Sequence, residues 1–375
     1  MRFLIGAAAL LAYAAGGPAQ EAAKPELEWL LIYYMSYDNN LEACGPVILD
    51  GLQEGAKEGP LAVTVLADFR DRDGLRRIVL SPEGRQERKL DTDNSASESV
   101  LEEYVAWAAK SYPAKRYAVV FLDHGGELDE MSLDEQPGEG VSKKWLSARK
   151  VGPLLRKFRE DVGGKVELVF LQQCGRGSID NLYNFRGAGA AVMASQTSVG
   201  APNTYYAPTL KWLAKHPAVG GIDLARRIMK DDEHYTNYVC VRDEALGELA
   251  KRIDPVVDAL LPKEGGELVA PKGQRACFGG RGRGTESNYD LLSWLDAAFD
   301  ANERPKEEFS KFNTWVREKL VAHHQFREGA ERGRAWCGVS VFVPKTGVLR
   351  ERYKDYPLYQ DSRLDDLWKA MYGEK

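Results

Sequence analysis

The chain has 375 residues, with 51 Lys plus Arg against 56 Asp plus Glu, a formal charge of −5, and 44% hydrophobic against 29% charged residues. This balance excludes wholesale disorder. The mild acidity is spread along the chain, with no basic stripe and no aromatic-interleaved RNA-binding signature, which argues against a nucleic-acid partner.

The first 19 residues stand apart from the fold. Arg2 gives a positive start, residues 3–15 form an apolar run, and Gly17, Pro18 and Ala19 precede the expected cleavage point. A run of about a dozen residues is short for a spanning helix and suits a secretory signal, an uncleaved anchor being the alternative. No later stretch reaches the roughly 18 apolar residues of a membrane span. The expectation is a secreted or periplasmic protein without a membrane span in its mature chain.

In chain order, residues 29–35 (WLLIYYM) read as a strand, 41–55 as a helix and 61–67 as a strand. An antiparallel ribbon, 76–80 and 85–90, flanks the turn residues Ser81, Pro82, Glu83 and Gly84. A helix over 97–111 opens on Ser97 as a capping residue, followed by a strand at 117–122 (YAVVFL), a helix at 147–160, and strands at 166–171 (VELVFL) and 190–194. The strands are apolar on both faces, as in a parallel sheet covered by helices on both sides. Their alternation with helices predicts a doubly wound α/β sandwich.

After about residue 206 the pattern changes. Residues 208–216, 222–229, 244–261, 289–301 and 306–324 read as helices, 338–343 (GVSVFV) as a late strand, and 363–372 as a terminal helix. The expected organisation is a signal peptide at 1–19, an α/β core at 26–205, and a mostly helical C-terminal subdomain at 206–375 whose late strand returns to the main sheet.

Two polar residues stand where strands end. Residues 117–123 run into His124, Gly125 and Gly126, and residues 166–173 run into Cys174, Gly175, Arg176 and Gly177. The interval between His124 and Cys174 fits one strand-loop-helix-strand unit, so neighbouring strands about 4.8 Å apart would bring both residues to the same carboxyl edge. Open α/β sheets bind ligands at that edge. A thiol near pKa ~8.5 is only slightly ionised at neutral pH and gains from an adjacent base. An imidazole can take its proton and return one to a leaving amine. The surrounding glycines let backbone amides approach a developing oxyanion, and a helix starting near Ser178 would add its positive end.

Cys174 is one of five cysteines, an odd number that leaves at least one thiol unpaired in an exported chain. If it is the unpaired one, Cys44, Cys240, Cys277 and Cys337 form disulfides in one of three pairings or remain four buried thiols. No C-x-x-C pair is present, so neither a zinc knuckle nor a thioredoxin-type site is expected.

At these residues the sequence resembles the clostripain-type cysteine peptidases of the caspase-like clan. The matching pieces are 29–35 with Asp38, Asn39, Asn40, Leu41 and Glu42, then 112–115 leading to Asp123, His124, Gly125 and Gly126. They continue with 166–174, 194–197 and 338–344. The resemblance implies a caspase-like α/β/α sandwich, peptide or protein substrates, a Cys174–His124 dyad, an oxyanion hole from the amides of Gly125 and Cys174, and a thioester acyl-enzyme.

One departure bears on specificity. The resemblance calls for Asp two residues before the nucleophile, where this chain has Gln172, and residues 200–204 supply no carboxylate in the following loop. Without buried negative charge a pocket loses most of its preference for Arg or Lys. Gln172, with Ser195 and Thr197 at the next strand end, is expected to line that pocket. The rival readings are a catalytically silent binding module on the same scaffold and a metal-dependent hydrolase using His124 and the acidic stretch at 127–139.

Residues 127–139 carry Glu127, Asp129, Glu130, Asp134, Glu135 and Glu139 and read as a solvated acidic loop, with calcium binding or a charged lid as alternatives. No dedicated metal ligand set or other cofactor is expected. His216, His234, His323 and His324 show no ligand spacing, and no H-E-x-x-H element is present.

Overall fold

The computed structural model describes residues 26–70, 74–138, 140–234, 237–262, 268–279, 287–326 and 336–373. The segment expected as a signal, 1–19, and Glu139 lie outside the described residues.

In chain order the strands are β1 (Leu27–Tyr37), β2 (Leu61–Phe69), β3 (Arg76–Ser81), β4 (Gly84–Lys89) and β5 (Ala114–Leu122). Next come β6 (Glu130–Asp134), β7 (Lys144–Ser147), β8 (Val166–Gln172), β9 (Ala191–Ala194) and β10 (Tyr238–Arg242). The last are β11 (Ala276–Gly279), β12 (Ser287–Asp290), β13 (Val321–Gln325) and β14 (Ser340–Phe342). Nine of them make one sheet, ordered β13-β10-β9-β8-β5-β1-β2-β3-β4. The middle strands β9, β8, β5, β1 and β2 run parallel, and β10, β13, β3 and β4 extend the sheet antiparallel on its two sides.

The solid apolar runs are explained by period-two alternation between two cores. Leu30, Ile32 and Tyr34 of β1 face one core, shared with helices Glu98–Ser111, Ala148–Asp161 and Asp243–Leu260. Trp29, Leu31, Tyr33 and Met35 face the other, under helices Gly45–Gly55, Tyr206–Lys215 and Gly221–Asp231. Each large side chain buried this way contributes about 1.5–3 kcal/mol, so both faces of β1 hold a helical layer in place. The layered α/β/α architecture is as the sequence implies.

Four elements differ from expectation. The late strand shortens to β14 and does not return to the main sheet; it pairs with β12 in a separate sheet ordered β11-β12-β14. The strands from beyond residue 205 that join the main sheet are β10 and β13. The helix expected over 306–324 stops at Trp315, passes through a π turn at Val316–Leu320, and becomes β13, whose residues pair with β10 (Cys240 with His323, Val239 with His324). An available sheet edge outweighs the helical spacing there. The helix expected from 289 begins at Leu291, because Asp290 caps it by accepting the Ser293 amide at 3.0 Å. Finally, the acidic stretch is no solvated loop: β6 and β7 form a hairpin from it, with Asp134 fully buried.

All five cysteines are free, with Cys240 and Cys337 buried and Cys44, Cys174 and Cys277 half-buried. Among the described residues no helix is long and apolar enough to cross a membrane.

Candidate active site

The parallel register sets the site. β5 and β8 are hydrogen-bonded neighbours whose last pair is Leu122 with Gln172. His124 and Cys174 each lie two residues beyond that pair, so they leave the sheet side by side at its carboxyl edge. The two loops touch main chain to main chain: a β-carbon at Gly125 would overlap the Cys174 carbonyl oxygen. Only glycine fits at 125.

The β6–β7 hairpin buttresses both loops. Ser132 N donates to His124 O at 3.2 Å and Gly126 N donates to Glu130 O at 3.1 Å. These bonds flank the Gly125–Met131 pair and leave the Gly125 amide outside that ladder. A bulge between Met131 and Leu133 puts Ser132 at φ 53°, a conformation costing about 1–3 kcal/mol in a non-glycine residue. The bulge aims the Ser132 hydroxyl at Gln173, whose Nε2 donates to it at 2.9 Å. Strain in the hairpin thus anchors the residue next to Cys174.

Arg176 forms the strongest tie between the loops. Its side chain is 1% exposed. The guanidinium donates to four main-chain carbonyls: Cys174 O from Nε at 3.1 Å, Leu128 O and Glu130 O from Nη1 at 3.1 and 2.8 Å, and Gly126 O from Nη2 at 2.8 Å. A buried charge is tolerated only with such hydrogen bonding, and the planar fork suits carbonyls arriving from several directions. It fixes the carbonyl of Cys174 against the loop that carries His124.

On the far side, the Cys174 loop pairs with the extension of β9. Gly175 N donates to Thr197 O at 2.9 Å and Gly177 N to Ser195 O at 2.7 Å. The Cys174 thiol sits against Val199, its sulfur 3.3 Å from both the Val199 amide and the Val199 carbonyl. Ser178 caps the short helix Ile179–Asn184, accepting the Asn181 amide at 3.2 Å.

Gln172 is buried, and its amide is used within the chain. Nε2 donates to Asn203 Oδ1 and, at 3.2 Å, to the Tyr206 hydroxyl, while Oε1 accepts from the Tyr205 hydroxyl at 2.6 Å. Asn203 Nδ2 then donates to Asp232 Oδ2 at 2.6 Å and to the Tyr238 hydroxyl at 3.0 Å. Ser195 is buried and accepts the Thr197 amide at 3.1 Å, whereas Thr197 is half-exposed.

His124 is held from the segment that follows β1. Its Nε2 lies 2.8 Å from Asn40 Oδ1. With the amide oxygen accepting, Nε2 carries the ring proton and Nδ1 presents a lone pair, the tautomer a base requires. Asn39, one residue earlier, donates to Asp123 Oδ1 at 2.8 Å and to Leu133 O at 3.0 Å. Asp123 also accepts the Leu133 amide, so its buried carboxyl, whose pKa burial pushes well above the ordinary value, is a structural tie at the strand end. Neither Asn40 nor Arg176 was singled out from sequence. The polar run after β1 hinted at the first; nothing local distinguished the second from a surface arginine.

Most acidic residues of the hairpin region are locally paired. Glu127 meets Arg352, Asp129 binds Arg149 and the Ser147 hydroxyl, and Glu135 meets Arg70. Asp134 instead turns inward toward Asp38 and Asp68. Among the described residues this is the one group with three candidate metal-ligating atoms within 4.8 Å of one another.

The layered sheet, with a thiol and an imidazole loop at one edge, defines the class in outline, and comparison with known proteins specifies it. Residues 33–259 match the model of the clostripain family of C11 peptidases. Among solved structures, a secreted C11 cysteine protease of Bacteroides thetaiotaomicron in complex with an irreversible peptide inhibitor aligns with TM-score 0.65 and 15% identity, covering 89% of this chain and 99% of that one. An inactive zymogen C11 protease of Parabacteroides distasonis aligns with TM-score 0.64 and 17% identity, covering 90% and 99%. A further secreted C11 protease of B. thetaiotaomicron, "iotapain", gives 0.62 and 12%, covering 90% and 100%. A search of curated proteins finds no match. The fold and these matches define a cysteine peptidase. The chain belongs to the clostripain family.

Two outcomes follow from the geometry. Arg176→Met removes the guanidinium from four main-chain carbonyls, of which Glu130 O keeps the Gly126 amide, and should cost about 3 kcal/mol in stability, read as a lower urea midpoint at unchanged m-value. Burial is the main influence holding the His124 pKa below its ordinary value of 6.5, with the Glu135 charge opposing and Lys143 reinforcing the shift. NMR titration should therefore find this imidazole neutral at pH 7, with a midpoint under 6.5. A midpoint at or above the ordinary value would contradict the desolvated environment.

Proposed function

We propose that the chain is an exported endopeptidase that cleaves peptide bonds with Cys174 as nucleophile and His124 as general acid and base. The observation carrying this reading is the register of β5 and β8, which releases the two residues from adjacent strands at one edge. His124 Nδ1 takes the thiol proton, and the thiolate adds to the scissile carbonyl. The amides of Gly125 and Cys174 bind the resulting oxyanion, each such donor being worth about 2.7–4 kcal/mol in a preorganised site. The imidazolium gives its proton to the departing amine, leaving a thioester. Water, deprotonated by the same ring, then hydrolyses the thioester and restores the thiol. Thiol and imidazole supply both the nucleophile and the proton transfers, so the scheme calls on no cofactor.

The leader-like residues 1–19 support export, and two of the similar structures are described as secreted proteins. Peptide substrates accord with the inhibitor bound to one of them. Gln172, Ser195 and Thr197 belong to the specificity pocket in this reading. Gln172 acts there by holding the wall through Asn203, Tyr205 and Tyr206, and it brings no negative charge to a cationic side chain.

Cys174→Ala and His124→Ala should each lower kcat/KM by about 10³-fold or more while circular dichroism and Tm stay near wild type. A thiol-directed activity probe should label wild type and not Cys174→Ala. Undiminished proteolysis by either variant, or an unlabelled wild type, would favour a silent binding module. A positional-scanning peptide library should show no dominant Arg or Lys at the cleaved position. A strong basic preference would overturn the role given to Gln172.

A further inference from the structure

Two cysteines converge on the end of β12, in the small sheet next to the Cys174 loop. β11 pairs with β12 through Ala276 opposite Tyr289 and Phe278 opposite Asn288, so Cys277 is the extra residue of a bulge. The Asp290 amide donates to its sulfur. From the other side, Cys337 N donates to Asp290 Oδ2 at 2.7 Å, and the Cys337 sulfur lies 3.3 Å from Val339 O. That same carbonyl accepts the Leu291 amide at 3.0 Å. One sulfur therefore sits at the Asp290 amide and the other beside the Leu291 amide, successive groups of one chain.

The other cysteines are placed differently. Bonded cysteines need Cα atoms about 4.4–6.8 Å apart. Cys44 precedes Gly45, which packs against the Phe69 ring at the end of β2, whereas Cys240 lies on β10. β2 and β10 are separated by five strand spacings in the main sheet, about 24 Å, so these two cannot pair. The Cys174 sulfur is turned to Val199.

The surroundings of Cys277 and Cys337 suit a covalent bond better than a metal. The carboxylate beside them is already taken: Asp290 Oδ1 accepts the Ser293 amide at 3.0 Å and its hydroxyl at 2.8 Å, and Oδ2 accepts the Cys337 amide. Two thiols without further ligands do not hold zinc. Burial foremost, then the Asp290 charge, pushes both thiol pKa values above the ordinary range. Thiolates are therefore costly at this place, whereas a disulfide carries no charge to desolvate.

We propose that Cys277 and Cys337 form a disulfide that clamps β11 to the entry of β14 and so holds the Phe278 ring against the Cys174 loop. Cys277 is half-buried and Cys337 is 1% exposed, so Cys277 reacts first. Its thiolate attacks a small-molecule or protein disulfide of an oxidising compartment, giving a mixed disulfide and releasing one thiol. The Cys337 thiolate then attacks the Cys277 sulfur, forming the new S–S bond and expelling the second thiol. The pair loses two electrons and two protons, and the oxidant takes them up as its disulfide becomes two thiols. The bond closes a loop of about 60 residues, long enough to restrict the unfolded chain substantially. Phe278 follows Cys277 directly, and a β-carbon at Gly175 would overlap its ring, so a bond at 277 fixes what the Cys174 loop rests on. The pairing stands on the geometry around Asp290; its oxidation in the natural setting rests on the export proposed above.

Full-length protein prepared under reductant is equilibrated with reduced and oxidised glutathione, quenched with iodoacetamide in denaturant, digested and mapped by mass spectrometry. Cys277 and Cys337 are expected in one linked peptide pair, with Cys44 and Cys240 alkylated. Free thiols at 277 and 337, or a bond from either to another cysteine, overturns the pairing. Oxidation should raise the wild-type Tm by about 3 °C or more and leave that of Cys277→Ser/Cys337→Ser unmoved. Equal Tm for oxidised and reduced wild type overturns the clamp. Amide hydrogen exchange at residues 174–178 should be about fivefold slower or more in oxidised than in reduced wild type, a readout that needs neither a variant nor activity. Unchanged exchange there overturns the tie to the Cys174 loop. Protein retained inside the cell with both thiols reduced, though linked in the glutathione buffer, overturns export and leaves the pairing intact.

Discussion

The site depends on the pairing of two parallel strands. Once β5 and β8 lie side by side with Leu122 opposite Gln172, the residues two steps on must emerge together. A shift of one residue in that register would send each side chain to the opposite face of the sheet, so the two apolar cores enforce the alignment of the His124 and Cys174 loops. Packing energy far from the thiol therefore sets the geometry at it.

Register alone brings loops to an edge and leaves their conformation open. The β6–β7 hairpin and Arg176 close that freedom. The hairpin presents carbonyls from Leu128 and Glu130 and a hydroxyl from Ser132, and the guanidinium gathers the carbonyls with those of Gly126 and Cys174. This is a polar network in a low-dielectric setting, where full satisfaction rigidifies and any missing partner is costly. The left-handed backbone at Ser132 is consistent with such over-determination.

Much of this was legible in the sequence, in proportion to how local the signal was. The central strands announced themselves because they are buried on both faces, and His124 and Cys174 because each follows such a run. β10 was passed over although Tyr238–Arg242 is rich in β-branched residues, since five residues carry little periodicity. β13 was hidden behind a helical pattern that continues to Leu320, and its pairing with β10 is a long-range choice. The hairpin was masked by its acidic composition: the charges that suggested solvent are neutralised by Arg149, just after β7, and by Arg352 and Arg70, both distant in sequence. Likewise the partners of Arg176 are main-chain atoms, which no side-chain motif records.

The small β11-β12-β14 sheet lies beyond residues 33–259, which the family model matches, yet it reaches back to the Cys174 loop. Ser340 N donates to Gly177 O at 2.9 Å, Phe342 N to Asp180 Oδ2 at 2.8 Å, and the Phe278 ring lies against Gly175. β13 meanwhile covers the outer side of β10, which would otherwise stand as a bare sheet margin open to self-association. A recombinant fragment trimmed at residue 259, where the match fades, would thus lose both the prop beneath the thiol loop and the cover on its sheet. Cloning boundaries for this protein belong after its final helix, Leu364–Tyr372.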